Sequence, residues 1–240
     1  MAEPGRSEDD GPVVFLDIGA TLVGADVKGP ASRIGALLGL DGEGRRALRG
    51  ALMTTDFWTP EEVAAHLVVS LGAEPEAAAR ASREIWESQR ADARPLPGAP
   101  EALARLAAEG CRLGLISNIW RPYLESVRSH YGALFDDHVE PRLQLFSFQV
   151  GAAKPGPGIF TEALRRAGVG PERAVMVGDS YDEDVAPAAA LGMRTVWVLT
   201  RPEDQAEAIG HVEDGAAPPP TFTVDSLDAL DPRLLSCADG

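Results

Sequence analysis

Apolar and polar positions follow two different rhythms along this chain. Residues 13–16 are an unbroken apolar run, Val-Val-Phe-Leu, that ends on Asp17, Ile18, Gly19 and Ala20. Such a run predicts a strand buried on both faces, as in a parallel sheet. Gly19 and Ala20 close it with little bulk, so a ligand can approach the backbone, although a turn-forming aspartate accounts for Asp17 equally well. Residues 24–30, with Asp26, Lys28 and Pro30 among glycines, read as a linker. From about residue 31 to 89 the period is helical throughout, and helices are expected over 32–38, 43–53, 60–71 and 75–89. A proline-rich stretch at 94–100 then returns the chain to alternating strands and helices. Strands are expected at 112–116, 174–177, 195–199 and 222–224, and helices at 101–109, 121–131, 158–167 and 184–191. Residues 134–150 stay ambiguous, with a short strand near 143–148, and the acidic stretch after 199 reads as loose.

Strand–helix alternation implies a parallel sheet covered by helices on both faces. The chain therefore reads as α/β, a Rossmann-like core interrupted after its first strand by a small helical insertion. The expected division is a core of 11–23 plus 96–240, a helical unit of 24–95, and a disordered 1–10.

Charge narrows the partners. The net charge is −15, which argues against non-specific binding to nucleic acid or to an acidic membrane. Any anion pocket must supply its own positive field. Among 22 basic residues only Lys28 and Lys154 are lysines, so each calls for a reason. Cys111 and Cys237 lack metal or paired spacing, which fits a reducing compartment, with Cys111 expected in the core. The acidic N-terminus is no signal peptide and no apolar run reaches membrane-spanning length, so a soluble cytoplasmic protein is expected, a monomer or a homodimer.

Candidate chemistry gathers at strand ends. Asp17 and Thr21, Ser117 and Asn118, and Gly178-Asp179-Ser180 each follow an expected strand, and parallel sheets bring those ends to one edge. Lys154 opens a helix beside them. Two carboxylate-bearing strands, a hydroxyl and an ammonium suit holding a divalent cation against a phosphate and attacking phosphorus with a carboxylate. Lysine's compact ammonium fits between two anions where a guanidinium fork does not.

These four segments, in this order, resemble the motifs of the haloacid dehalogenase (HAD) superfamily: Asp17 with Thr21, then Ser117, then Lys154-Pro155, then residues 178–184. The helical insertion lies where that family carries a helical cap, and Ala188–Met193 also follows its pattern. The resemblance implies a Mg²⁺-dependent phosphatase acting on a small phosphorylated metabolite. It implies Asp17 as nucleophile forming an aspartyl-phosphate, and a metal set of Asp17, the Gly19 carbonyl, Asp179 and, through water, Asp184. It also implies Ser117, the Asn118 backbone and Lys154 as phosphoryl ligands, with Thr21 ordering the first loop. One departure stands out. Phosphatases of the family usually carry a second aspartate, the proton donor, where this chain has Gly19. General acid–base catalysis is typically worth about 10²–10⁴-fold. Slow turnover, a metal-free dehalogenase, or a fold retained for binding or regulation are the alternatives. A phosphonatase, which would use Lys28, ranks below them. Asp56, Phe57, Trp58, His66, Arg83, Trp86 and Arg90 could face the site from the insertion. Trp58 and Trp86 read more simply as core, and the arginines as solvated. His130, His138 and His211 show no ligand spacing. Asp182 and Glu183 read as loop solvation, and Tyr181 as packing beside the loop.

Overall fold

The computed structural model describes residues 11–24 and 28–235. The expected disorder of residues 1–10, Asp26 and Cys237 lie outside them. The first apolar run is β1 (Val13–Leu16), with all four side chains buried. A second, two-residue strand, β2 (Val23–Gly24), follows the loop after it. Then come α1 (Pro30–Leu37), α2 (Gly42–Thr54), α3 (Pro60–Leu71) and α4 (Pro75–Gln89), and the chain returns through β3 (Arg94–Pro95), antiparallel to β2. Sequence signals mark the ends of the helices. Asp41 Oδ1 accepts from Gly44 N at 2.8 Å ahead of α2, and Gly72, at φ 65°, closes α3 in the left-handed conformation.

The remaining elements are α5 (Ala99–Ala108), β4 (Arg112–Ser117), α6 (Arg121–His138), β5 (Val139–Phe146), α7 (Ser147–Val150), α8 (Pro157–Ala167), β6 (Ala174–Gly178), α9 (Ala186–Ala190), β7 (Arg194–Val198), α10 (Ala206–Glu213) and β8 (Phe222–Val224). Six strands form one parallel sheet in the order β5-β4-β1-β6-β7-β8. β1 is central, and its side chains divide by parity. Val14 and Leu16 join a core shared with α5 and α6, whereas Val13 and Phe15 join one shared with α8 and α9. Burying each such side chain contributes about 1.5–3 kcal/mol, so β1 is anchored from both layers. Gly114 in β4 lies opposite Phe15; a Cβ there would fall 2.6 Å from the Phe15 ring.

Several sequence expectations are corrected. α6 runs to His138, well past residue 131, because Phe135 continues the buried stripe of Leu124, Val127 and Tyr131. The ambiguous 134–150 region holds a full edge strand, β5, and its pairing with β4 shifts register between Leu113 and Leu115. The supposedly loose acidic stretch contains α10. The helix expected over 184–191 is a π-type turn, Tyr181–Val185, that leads into the short α9. Pro187 sits in the first turn of α9, where its missing N–H costs no helical bond. Cys111 is half-buried against the core rather than fully enclosed.

The helices α1–α4 have an apolar core of their own, including Ile34, Leu48, Leu52, Val63, Leu67, Ile85 and Trp86. Trp120, just past β4, joins it: its ring meets Trp86 edge-on at 5.5 Å, and its Nε1 donates to Gln89 Oε1 at 2.9 Å. The helical layer is thus fixed over the carboxyl ends of the strands. No helix among the described residues is long and apolar enough to cross a membrane.

Candidate active site

The carboxyl ends of β1, β4 and β6 deliver Asp17, Ser117 and Asp179 to one cavity of about 560 Å³. Gly19, Asn118, Lys154, Asp184, Glu183 and Arg201 share its wall. The loop after β1 makes its turn at Ala20, whose φ of 50° is left-handed although the residue is not glycine. Local bonds hold that turn: Ala20 N donates to Val23 O at 2.6 Å, and Thr200 Oγ1 donates to Ala20 O at 2.6 Å.

Lys154 is the hub. Its Nζ lies 2.6 Å from Asp17 Oδ1 and 2.5 Å from Asp184 Oδ1, and the residue is 5% exposed. Burial alone pulls its pKa down, but the two carboxylates outweigh that and raise it, so the ammonium stays charged. Asn118 fixes its backbone from both sides. Lys154 N donates to Asn118 Oδ1, and Asn118 Nδ2 donates to Lys154 O, both at 2.9 Å. The Asn118 side chain is therefore spent on positioning Lys154, which leaves its backbone as the part of that residue that could meet a phosphoryl group.

Asp17, Asp179 and Asp184 are buried and present carboxylate oxygens within 4.8 Å of one another, a grouping able to hold a metal ion. Burial pushes Asp179 up to about 6, Asp17 adds to the shift, and Arg201 opposes it through an Nη2 3.0 Å from Asp179 Oδ2. Burial also raises Asp184, against the pull of Lys154. Asp184 Oδ2 accepts from Ser180 N at 3.1 Å, and its side chain fills the space over Gly178, where an added Cβ would fall 2.3 Å away. Gly178 is thus what lets Asp184 reach inward. At Gly19, by contrast, an added Cβ would meet only Asp17 Oδ2, at 3.8 Å, and its φ is not left-handed.

Other expected site residues are placed as follows. Thr21 is 1% exposed, its Oγ1 has no hydrogen-bond partner, and it does not line the cavity. Glu183 is not loop solvation as expected. It accepts from Asn118 Nδ2 at 3.0 Å and pairs with Arg49 of α2 at 2.5 Å, because the π-type turn directs it inward. Asp182 is exposed, and Tyr181 packs on Trp197. None of the residues singled out in the insertion lines the cavity. Phe57 and Trp86 are core, Arg83 pairs with Glu61 and Arg90 with Glu125 at the surface, and His66 sits against the Phe57 ring. Trp58 is not core but exposed, covering the Arg121 guanidinium at 3.5 Å from its ring centroid, while Arg121 pairs with Asp56. Lys28 is exposed. His130, His138 and His211 belong to no metal-binding cluster among the described residues.

Arg49, Thr200 and Arg201 reach the site without having been singled out. A faint signal exists for Thr200 and Arg201, which lie two and three residues past the end of β7 on the same sheet edge. Arg49 sits among the arginines of an amphipathic helix and carries no such mark.

Comparison with known proteins gives the family. A family model described as haloacid dehalogenase-like hydrolase matches residues 22–192. The chain belongs to that family. Among curated relatives, it is 39% identical over 149 residues to the phosphoserine phosphatase of Thermus thermophilus, covering 60% of this chain and 57% of that protein. It is 39% identical over 107 residues to the glyceraldehyde 3-phosphate phosphatase of Methanothermobacter thermautotrophicus, covering 44% of this chain and 45% of that one. The chain thus spans about half the length of the curated relatives it matches. Among solved structures, a 2-haloacid dehalogenase of Pseudomonas syringae is 25% identical with a TM-score of 0.58, covering 94% of this chain and 98% of that one. A HAD phosphatase of Thermococcus onnurineus, 21% identical with a TM-score of 0.54 over 90% of this chain and 94% of that one, shares the fold.

Proposed function

We propose that this protein is a cytoplasmic, Mg²⁺-dependent phosphatase of a small phosphorylated metabolite, working through an aspartyl-phosphate on Asp17. The observation that carries this reading is the buried Asp17–Asp179–Asp184 group around Lys154. Two curated relatives named as phosphatases support it. The donor set fits the ion: three hard carboxylates share one small volume, Lys154 and Arg201 pair with them, Arg49 at the same wall is paired with Glu183, and Gly19 borders the same space. Asp17, Asp179 and Asp184, with Gly19, would hold Mg²⁺, and when bound it would neutralise phosphoryl charge and aid leaving-group departure.

The residues of the chain divide the remaining work. Lys154 holds Asp17 Oδ1, and the oxygen on the Gly19 side attacks phosphorus. The Asp17–phosphorus bond forms as the ester P–O bond breaks, and the alkoxide leaves taking a proton from water. Water then cleaves the acyl phosphate and returns Asp17 and inorganic phosphate. Ser117 and the Asn118 backbone would receive the phosphoryl oxygens, and Thr21 would support the loop from behind the cavity wall. Because position 19 offers no carboxyl, proton transfer relies on solvent and turnover is slow.

A second reading has its own support. A dehalogenase releases halide, which needs no proton donor at position 19, and the 2-haloacid dehalogenase fold covers nearly the whole chain. One experiment separates the two. Phosphate release from an aryl phosphate and from sugar and nucleotide phosphates is measured with and without Mg²⁺, for the native protein and Asp17→Asn. Chloride release from 2-chloropropionate without metal is measured in parallel. Mg²⁺-dependent phosphate release abolished by Asp17→Asn supports the phosphatase, whereas metal-independent chloride release alone overturns it. Neither activity points to a binding role.

A further inference from the structure

Beside the catalytic cavity lies a second chamber of about 380 Å³, bounded by the start of α1, by α2, by the end of α4 and by the loop after β4. Arg49, Asn118 and Tyr123 line both spaces, so the two adjoin. The walls differ in chemistry. The catalytic cavity is set with Asp17, Lys154, Asp179 and Arg201, whereas the chamber adds Pro30, Ala31, Met53, Ile119 and Trp120 to the shared residues, with Ser32 and Gln89 as its own polar side chains. Its polar groups are largely occupied already. The Gln89 amide accepts from Trp120 and donates to Asp92 Oδ2 at 2.6 Å, and the Arg49 guanidinium pairs with Glu183 at 2.5 Å. What the chamber offers an entrant is therefore mainly apolar surface.

We propose that this chamber is the leaving-group site and that it selects phosphate monoesters whose alcohol carries a planar or apolar body, in preference to three-carbon or zwitterionic alcohols. This rests on the phosphatase reading for the phosphoryl end alone; the chamber's selectivity has its own readout. A phosphoryl group held at Asp17 and Lys154 would have the chamber adjoining it past Tyr123, which lines both spaces. A glycerol-sized alcohol would leave the apolar walls wet, and an aryl group would dry them. The Arg49–Glu183 pair at the shared wall also links α2 to the π-type turn.

The test uses binding as well as turnover. Titration calorimetry on Asp17→Asn with Mg²⁺ compares 1-naphthyl phosphate with methyl phosphate, and the native protein's kcat/KM is measured for 1-naphthyl phosphate and glycerol 2-phosphate. About 100 Å² of newly buried apolar surface predicts an affinity advantage on the order of fiftyfold for the naphthyl ester. Met53→Trp, which fills the chamber, should erase that advantage and leave methyl phosphate binding unchanged. Equal affinity for the two esters, or an equal loss of both in Met53→Trp, overturns the proposal; Met53→Ala, which enlarges the chamber, guards against misfolding by retaining the preference. A naphthyl preference in binding without hydrolysis of any ester would defeat the phosphatase reading and leave the chamber standing. Hydrolysis without that preference would do the reverse.

Discussion

Replacing Lys154 with methionine tests the electrostatic logic of the site without touching a carboxylate. Methionine keeps most of the volume and removes the charge. The ammonium has a 2% exposed side chain and serves two carboxylates, Asp17 and Asp184, which are also nearly inaccessible to water. Breaking a buried pair by removing one partner costs about 3–5 kcal/mol, because the partner's charge is left without compensation. Asp179 and Asp184 have one escape, which is to take up protons. Asp179 already titrates at about 6 and Asp184 is raised, and Lys154 lowers both, so its loss moves both further up. A carboxyl whose folded pKa exceeds its unfolded value binds more protons when folded, so its stability is full below the unfolded pKa and is lost as pH rises through the folded one. Lys154→Met should therefore lose about 1 kcal/mol or less near pH 4 and about 3–5 kcal/mol at pH 8 without metal. Urea denaturation followed by circular dichroism at several pH values measures this, with EDTA present. A loss independent of pH, or below about 1 kcal/mol at pH 8, would refute the claim that Lys154 compensates a surplus of buried negative charge.

The native protein should show a milder form of the same trend. With Asp179 moved from 3.8 to about 6, the metal-free protein should weaken by up to about 3 kcal/mol as pH rises from 4 to 7, and Mg²⁺ should restore more stability at pH 8 than at pH 5 in thermal denaturation. Gly19→Asp should fold, since a Cβ there meets only Asp17 Oδ2 at 3.8 Å, and should raise Mg²⁺-dependent phosphate release by about 10²-fold; no gain would mean that the pocket serves other chemistry. Arg201→Met frees Asp179 from a half-exposed pair worth about 0.2–1 kcal/mol, so calorimetry should find Mg²⁺ bound roughly 1.4-fold to fivefold more tightly. Thr21→Val removes a buried hydroxyl that has no partner and should change stability by under about 1 kcal/mol in either direction; a larger loss would reveal a bond made by that hydroxyl.

What was legible in the sequence was whatever the backbone period or a strand end encodes locally. β1, β4 and β6 are short apolar runs, each closing on a polar residue, and a parallel sheet turns that one-dimensional regularity into a shared edge. Helices α3 and α4 open on prolines and have the expected bounds, because Pro60 and Pro75 sit in first turns where the missing N–H costs nothing. The failures have a common physical cause. Trp58 reads as core because apolar and aromatic residues usually partition inward, yet it is exposed and covers Arg121, a partner 63 residues away in sequence. Glu183 looked like solvent-facing charge because its neighbours Asp182 and Asp184 are acidic too; one wide helical turn sends these three to solvent, to Arg49 and to Lys154 respectively. Arg49 was invisible for the same reason in reverse, since its helix carries several arginines and only the docking of α2 decides which one reaches Glu183. Period and composition can say that a cavity exists and where its catalytic floor lies. They do not say which side chain of the insertion becomes its roof, because that depends on the angle at which one apolar core settles on another, here fixed by Trp120 wedged between Trp86 and Gln89. Substrate choice is therefore the property least readable from the chain, because it depends on that packing and on the Arg49–Glu183 and Arg121–Asp56 pairs that join the two layers.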